Sequence, residues 1–229
     1  MSKLYIVATP IGNLGDITLR AIETLKSVDF VLAEDTRVTK KLLSHFGIFK
    51  PLISFQEHSS PKILEKILQL LEEDKDLALV TDAGTPGVSD PGQRLIQAIS
   101  LHDRQAGHKP YVAEIITIPG PSSLAAMISL SDIDLSKFTF LGFPPHKKGR
   151  EKFFTNLAAS RNPIIIFESP HRILKTLSQL RKFCGDRRAN IGRELTKTYE
   201  EVFRGTLSEA EKYFTGEKQR GEFVIVINI

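Results

Sequence analysis

Short continuous apolar runs alternate with helical periodicity along the first half of the chain. Residues 4–8 form an uninterrupted apolar run that reads as a strand buried on both faces. Residues 18–27 follow with Leu19, Ile22 and Leu25 at helical spacing. Residues 30–33 repeat the strand signal and residues 36–46 the helical one. Ser60-Pro61 is an N-cap followed by proline at the first helical position, and Ile63, Leu64, Ile67, Leu68 and Leu71 lie along one face of the helix it opens. Residues 77–80 are a further strand. A long Gly/Pro loop then leads to a helix opening at Asp90-Pro91, and residues 112–118 close this half as a strand. Apolar strands without alternation, separated by helices, predict a mostly parallel sheet covered on both faces.

The segment Ile118-Pro119-Gly120-Pro121-Ser122-Ser123 breaks the pattern and marks the expected hinge, dividing residues 1–118 from residues 119–229. The pattern then restarts. Strands are expected at 138–141, 164–167, 189–193 and 223–227, with a strand or hairpin over 198–207 carrying Tyr199, Val202 and Phe203. Helices are expected at 149–159, after a Ser169-Pro170 cap, and from 206–208 to 214. The fold class is therefore α/β in two α/β domains, the first with a mostly parallel sheet and the second with a mixed one.

Composition narrows the setting. The 229 residues suffice for two compact domains. Cys184 stands alone, which excludes an intrachain disulfide and a cysteine-based zinc site and reads as a reducing, cytoplasmic compartment. The six histidines show no ligand spacing, so no metal is expected. The N-terminal apolar run is too short for a signal segment, and no stretch approaches the roughly 20 apolar residues of a membrane span, so no membrane partner is expected. The net charge of +4 is unevenly placed: residues 1–118 carry 13 Lys/Arg against 15 Asp/Glu, and residues 119–229 carry 18 against 12. The excess positive charge belongs to the second half, where an anionic partner would bind.

Several strand-to-helix turns could carry chemistry. Residues 8–18 (ATPIGNLGDIT) make a glycine-bearing turn that lets a ligand reach backbone N–H groups. The turn is not GxGxxG and lacks a P-loop lysine, so neither a dinucleotide nor a triphosphate is indicated, and an ordinary βα turn is an equal reading. Residues 81–92 (TDAGTPGVSDPG) form a side-chain-poor wall where open α/β sheets bind ligands; a long connector is the alternative. Ser122 and Ser123 sit at a helix start, where capping alone would explain them. In residues 167–172 (FESPHR), His171 and Arg172 fall in an expected first helical turn, where cations are disfavoured, so they call for an anion: Glu168 or a substrate. Residues 34–37 (EDTR) and 192–199 (GRELTKTY) also lie at strand ends, and solvated charge is the plain reading of both. Residues 146–152 (HKKGREK) form a basic turn that could touch phosphates or be a solvated helix start.

In chain order, VATPIGNLGDIT, AEDTR, TDAGTPGVSDPG, IPGPSS, GFPP, FESPHR, GRELTK and GEFVIVI resemble the ribosomal RNA small subunit methyltransferase I family of the tetrapyrrole methylase superfamily, over residues 3–228. The resemblance implies two α/β domains of the tetrapyrrole methylase type with S-adenosylmethionine in the cleft between them. It implies methyl transfer to the ribose 2′-oxygen of a cytidine in the decoding region of small-subunit ribosomal RNA, naked or in the assembled 30S subunit, by a homodimer. Carried over by motif, the cofactor contacts would be Pro10, Ile11, Gly84, Thr85, Pro86, Val88, Ser122, Ser123, Phe167, Glu168, Gly221 and Glu222.

An in-line displacement of this kind needs alignment of the two reactants and a base or cation beside the attacking hydroxyl. The candidates for that role are Glu34, Asp35 and Arg37, and Arg193, Glu194 and Lys197, with Arg172 on a backbone phosphate. Lys147, Lys148, Arg150 and Arg172 would be the first phosphate contacts. Longer relatives continue past the GEFV strand with a small helical extension; if that extension helps dock RNA, docking is expected here from the body of the chain. Residues 101–114 are longer and more polar than the resemblance leads one to expect, which predicts an extended surface loop. The competing readings are a methyltransferase of the same fold acting on a tetrapyrrole or a protein, and a non-catalytic ribosome-binding module.

Overall fold

A computed structural model describes residues 1–90, 92–105 and 112–229. Pro91 of the expected helix start, and residues 106–111 of the expected surface loop at 101–114, lie outside the described residues. The chain divides into two compact units, Met1–Ser122 and Ser123–Ile229.

In the first unit, β1 (Ser2–Val7), β2 (Phe30–Ala33), β3 (Leu52–Ser54), β4 (Leu77–Val80) and β5 (Ala113–Ile118) form a sheet of order β3-β2-β4-β1-β5. Every pairing in it is parallel. Helices α1 (Leu19–Ser27), α2 (Thr36–His45), α3 (Pro61–Glu72) and α4 (Gly92–Gln105) cover it. Leu4, Ile6, Leu32, Leu77 and Leu79 point to one face, packed with Ile67 and Leu71 of α3 and Leu95 and Ile99 of α4. Val7, Val31, Ala33, Ala78 and Val80 point to the other, packed with Ala21 and Leu25 of α1 and Leu43 of α2. Burial on both faces is the reason these strands are apolar without alternation. Strand β3 was not expected. It is three residues long, at the sheet edge and half-buried, which leaves too little pattern to read.

This topology places the ligand-binding end. The chain leaves β1 across β4 toward β2, and leaves β4 across β1 toward β5. The loops at the carboxyl ends of β1 and β4 therefore depart in opposite directions, the switch point where open α/β sheets bind ligands.

In the second unit, β6 (Thr139–Phe140), β7 (Ile164–Glu168), β8 (Arg188–Arg193), β9 (Glu201–Thr206) and β10 (Phe223–Ile227) pair in the order β6-β7-β10-β8-β9. The β6–β7 pair is parallel and the other pairs are antiparallel. Helices α6 (Arg150–Ala158), α7 (Ile173–Cys184) and α8 (Leu207–Tyr213) bury Phe154, Leu157, Ile173, Leu177, Leu180, Leu207 and Ala210 against Ile164, Ile166, Ile191, Phe223, Ile225 and Ile227. Helix α5 (Ser123–Leu130) packs with Met127 at Gly192, where a Cβ would come within 2.7 Å of the Met127 sulfur. Thr206 and Glu209 form a capping box on α8.

The Ser169-Pro170 cap is a correction. Helix α7 begins at Ile173 with Arg172 in the N-cap position, and no side chain caps it. Ser169 is engaged elsewhere: its N–H and hydroxyl donate to Glu168 Oε1, and its oxygen accepts from Arg172 Nε. His171 and Arg172 thus precede the first helical turn. Among the described residues, no helix is long and apolar enough to cross a membrane.

Candidate ligand sites of the two units

Three loops of the first unit meet at the carboxyl ends of the adjacent strands β4, β1 and β5. Thr9 and Gly84 exchange backbone hydrogen bonds of 2.9 and 3.0 Å, joining the loop after β1 to the loop after β4. Thr9 Oγ1 also donates to the Thr81 carbonyl at 3.2 Å. Thr85 Oγ1 donates to the Pro121 carbonyl at 3.0 Å, which ties in the segment after β5. Gly84 adopts φ +85°, and a Cβ there would lie 3.3 Å from Ile11 Cγ2, so a side chain at Gly84 would be strained and would press on Ile11. The Asp90 carboxylate accepts from the N–H groups of Gly87 and Gly92 at 2.6 and 3.0 Å and winds the segment carrying Thr85, Pro86 and Val88. Pro10 and Ile11 are buried beside this knot. Ser122 ends the first unit, and Ser123 is the first residue of α5 in the second.

These loops, residues 8–18, 81–92 and 118–123, contain no Lys or Arg. They lack the cations that a phosphate-bearing ligand recruits and offer backbone amides, hydroxyls and the carboxylates Asp82 and Asp90. That donor set fits a cationic sulfonium joined to an adenosine.

Glu34, Asp35 and Arg37 follow β2. The Asp35 carboxylate caps α2 by accepting from the Arg37 N–H at 2.8 Å, and it holds the Arg37 guanidinium at 2.6 Å. The hydrogen bonds from Arg37 lower the Asp35 pKa to about 2, which makes it a poor base. Glu34 moves the other way. Burial raises its pKa, and the charges of Asp82, Asp90 and Glu57 add to the effect, against a hydrogen bond from the Asp82 backbone. Asp82 also accepts from the Asp35 N–H at 2.9 Å. Sequence reasoning missed Asp82 and Asp90 because their role depends on the proximity of the ends of β2 and β4.

In the second unit, Glu168 ends β7 fully buried. Its Oε1 accepts from Arg172 Nη2 at 2.8 Å and from the Ser169 N–H at 2.7 Å, and its Oε2 accepts from Thr176 Oγ1 at 2.5 Å. Arg150 lies 3.9 Å from Oε2 and donates to Gln179 Oε1, Thr176 Oγ1 and the Pro145 carbonyl. Arg172 donates to the Pro144 carbonyl at 2.9 Å. This network overturns three expectations. Arg150 and Arg172 turn inward, against their expected role on phosphates: their side chains are 6% and 14% exposed and bond to groups of their own unit. The Glu168 carboxylate, expected among the cofactor contacts, is engaged by Arg172, Ser169 and Thr176 instead. Their shared effect is to clamp the Pro144-Pro145 turn that leads to Lys147 and Lys148. Phe167, next to Glu168, packs edge-on against Phe140 and the half-exposed Phe143.

A second cluster joins the 193–200 segment to the start of β10. Lys197 Nζ donates to Glu194 Oε1 and Glu222 Oε2, each at 2.9 Å. The Glu222 N–H donates to Glu194 Oε1 at 2.9 Å, and the Glu194 N–H donates back to the Glu222 carbonyl at 3.0 Å. Glu194 and Thr196 have φ of +50° and +67°, a strained backbone for residues with side chains. Gly221 has φ +103°, a conformation that residues with side chains rarely adopt, and a Cβ there would overlap the Glu194 side chain, so the position favours glycine. Arg193 bonds to Glu201 Oε1 and the Arg220 carbonyl.

Burial opposes both charges of the Glu194–Lys197 pair. Lys197 and the Glu222 N–H nevertheless hold the Glu194 pKa below its ordinary value, and the two carboxylates hold the Lys197 pKa above its own. Lys197 is therefore a cation and not a base. The stabilisation from Glu194 is complete above pH 4.5 and is lost as pH falls through the lowered value. The stabilisation from Lys197 is complete below pH 10.5 and is lost as pH rises through the raised one. Chemical denaturation across pH should show a constant stability gap between the wild type and Lys197→Met in that window, closing outside it. A gap that persists unchanged in acid would remove the pair as its source.

The comparisons with known proteins agree with this architecture. A family model described as Tetrapyrrole (Corrin/Porphyrin) Methylases matches residues 3–211. The chain belongs to the tetrapyrrole methylase family. Solved members share the fold of this methylase at low identity. The crystal structure of the methyltransferase CobJ has a TM-score of 0.70 at 16% identity and covers 100% of this chain and 94% of that one. A uroporphyrin-III-C-methyltransferase from Thermus thermophilus has a TM-score of 0.67 at 18% identity, covering 100% and 94%. Among curated relatives of this methylase, a protein of Thermotoga maritima is 44% identical over 228 residues, 100% of this chain and 99% of the relative. One of Synechocystis is 45% identical, covering 99% of this chain and 79% of the relative. Both carry the name ribosomal RNA small subunit methyltransferase I.

Proposed function

We propose that this tetrapyrrole methylase transfers a methyl group from S-adenosylmethionine to small-subunit ribosomal RNA, at the ribose 2′-oxygen of a cytidine in the decoding region. The observation that carries the reading is the identity of 44% across essentially the whole of a relative bearing that name. The absence of Lys and Arg from the three knotted loops supports the choice of donor. When bound, S-adenosylmethionine supplies a methyl carbon made electrophilic by its sulfonium. Pro10, Ile11, Gly84, Thr85, Pro86, Val88 and Ser122 hold and orient the donor. Glu34 accepts the proton of the attacking hydroxyl, because its raised pKa makes it the more basic of the Glu34–Asp35 pair. Lys147 and Lys148 contact phosphates from the turn that Arg150 and Arg172 hold in place. The working enzyme is assigned as a cytoplasmic homodimer that acts on small-subunit ribosomal RNA, naked or in the assembled 30S subunit.

Radiolabelled S-adenosylmethionine incubated with small subunits that lack the modification should label the ribosomal RNA, with mass spectrometry placing the methyl on a cytidine ribose. Label on a tetrapyrrole or a protein would assign the same fold to a different substrate. Donor binding without transfer to any of these would leave a binding module.

A further inference from the structure

The edge of the first unit carries a cationic groove that none of the assigned roles uses. Its volume is about 610 Å³, and its lining includes Arg37, Lys40 and Ser44 of α2 and Ile48, Phe49 and Lys50 of the following segment. Residues 36–56 contain Arg37, Lys40, Lys41 and Lys50 and no Asp or Glu, although the half in which they lie is acidic overall. The positive charge is therefore local, on a half whose summed charge is negative. Arg37 is already paired with Asp35. Among the described residues, neither Lys40 nor Lys50 has a carboxylate within ion-pair distance.

The groove also presents an aromatic ring by construction. Gly47 (φ +65°) ends α2 with its N–H donating to the Ser44 carbonyl at 3.2 Å, while the Ile48 N–H donates to the Leu43 carbonyl at 2.9 Å. This pair of bonds reverses the chain and draws Ile48 into the core. The next residue, Phe49, is left pointing outward and is 84% exposed. Beyond it, Pro51 is anchored by the Val31 N–H at 3.0 Å. The ring thus shares the groove lining with Lys40 and Lys50, on a backbone fixed at both ends. Phosphates explain the lysines, and the flat face of a base explains the ring; base stacking on aromatic side chains with Lys/Arg on the backbone is how unpaired RNA strands are held.

We propose that this groove binds an unpaired nucleotide of the RNA substrate, its base stacked on Phe49 and its flanking phosphates held by Lys40 and Lys50. The proposal rests on the ribosomal RNA reading above and adds a contact surface outside the donor loops and the Lys147–Lys148 turn.

The test uses fluorescence polarisation with a short unstructured oligoribonucleotide, together with steady-state methyl transfer to small subunits. Phe49→Ala should weaken RNA binding and raise KM by about tenfold, while Phe49→Trp keeps both. Lys40→Ala with Lys50→Ala should weaken binding and lower the slope of log affinity against log salt by about 1.4, the loss of two phosphate contacts on a single strand. Donor affinity and kcat at saturating RNA should not change. RNA binding by the wild type with all variants within about twofold of it would overturn the groove and leave the RNA reading standing. A Phe49→Ala defect that tracks a change in sedimentation would assign the groove to a protein interface and overturn the proposal. A wild type that neither binds nor methylates RNA would remove both readings together.

Discussion

Replacing Glu34 by glutamine is expected to lower kcat for methyl transfer by about 10²–10⁴, the range set by removal of a positioned general base. A ribose hydroxyl is a weak nucleophile and needs its proton taken as the bond to carbon forms. A base must be unprotonated yet basic enough to accept, and the two carboxylates after β2 differ in just this respect. Asp35 spends its oxygens on the N-terminus of α2 and on Arg37, which lowers its pKa to about 2. Glu34 is half-buried, and its partial desolvation together with the charges of Asp82, Asp90 and Glu57 pushes its pKa up. The wild-type rate should therefore rise with pH through a value above the ordinary 4.5 of a glutamate, and that limb should vanish in Glu34→Gln. Donor affinity should be unchanged, because the glutamine is isosteric. A Glu34→Gln enzyme with kcat near the wild-type value would move the base elsewhere.

Replacing Glu168 by alanine should cost about 3–5 kcal/mol of folding stability, the scale for breaking a buried ion pair by removing one partner. The carboxylate has no exposure and stands between Arg172 at 2.8 Å and Arg150 at 3.9 Å. Burial already lowers the Arg150 pKa, with Glu168 opposing the effect, so losing Glu168 leaves two buried cations that repel each other. Glu168→Gln should lose less, since its amide oxygen still accepts from Arg172 and its NH2 group can donate to the Thr176 hydroxyl oxygen. Urea denaturation followed by circular dichroism measures both. A loss below about 1 kcal/mol for Glu168→Ala would mean that water reaches the arginines and that the network is not structural. At concentrations where the variant stays folded, its RNA affinity should fall as well, because Arg150 and Arg172 no longer fix the carbonyls of Pro145 and Pro144.

The fold was largely legible because the inner strands β2 and β4 of the first unit are buried on both faces and its helices on one. Strands β2, β4 and β10 occupy the residues their apolar runs mark. The Ser60-Pro61 start of α3 is where the N-cap rule puts it. The misread helix start at Ser169 has a tertiary cause: the serine that looked like a cap is bonded to a buried carboxylate and its arginine.

The candidate sites were legible as loops and illegible as chemistry. Glycine and proline density at a strand end marks the segment carrying Gly84, whose φ of +85° favours glycine, whereas Gly221, before β10, was marked by the resemblance alone. Nothing local marks which charges are free. In HKKGREK the third cation is buried and the first two lysines are not, and that difference depends on Thr176 and Gln179 arriving from α7. Likewise, Glu34 and Asp35 are neighbours of the same chemical type, and packing moves their pKa values in opposite directions.

The chain's own pattern of apolar runs, glycines and caps determined the two α/β halves, the strand-end loops and the family resemblance, because these follow from backbone geometry and from which positions can be buried. Tertiary structure alone decided which carboxylate can act as a base, which arginines are structural, and where a local cationic groove stands on an acidic half. Those properties depend on desolvation and on the distance between charges, and both are set by residues far apart in sequence.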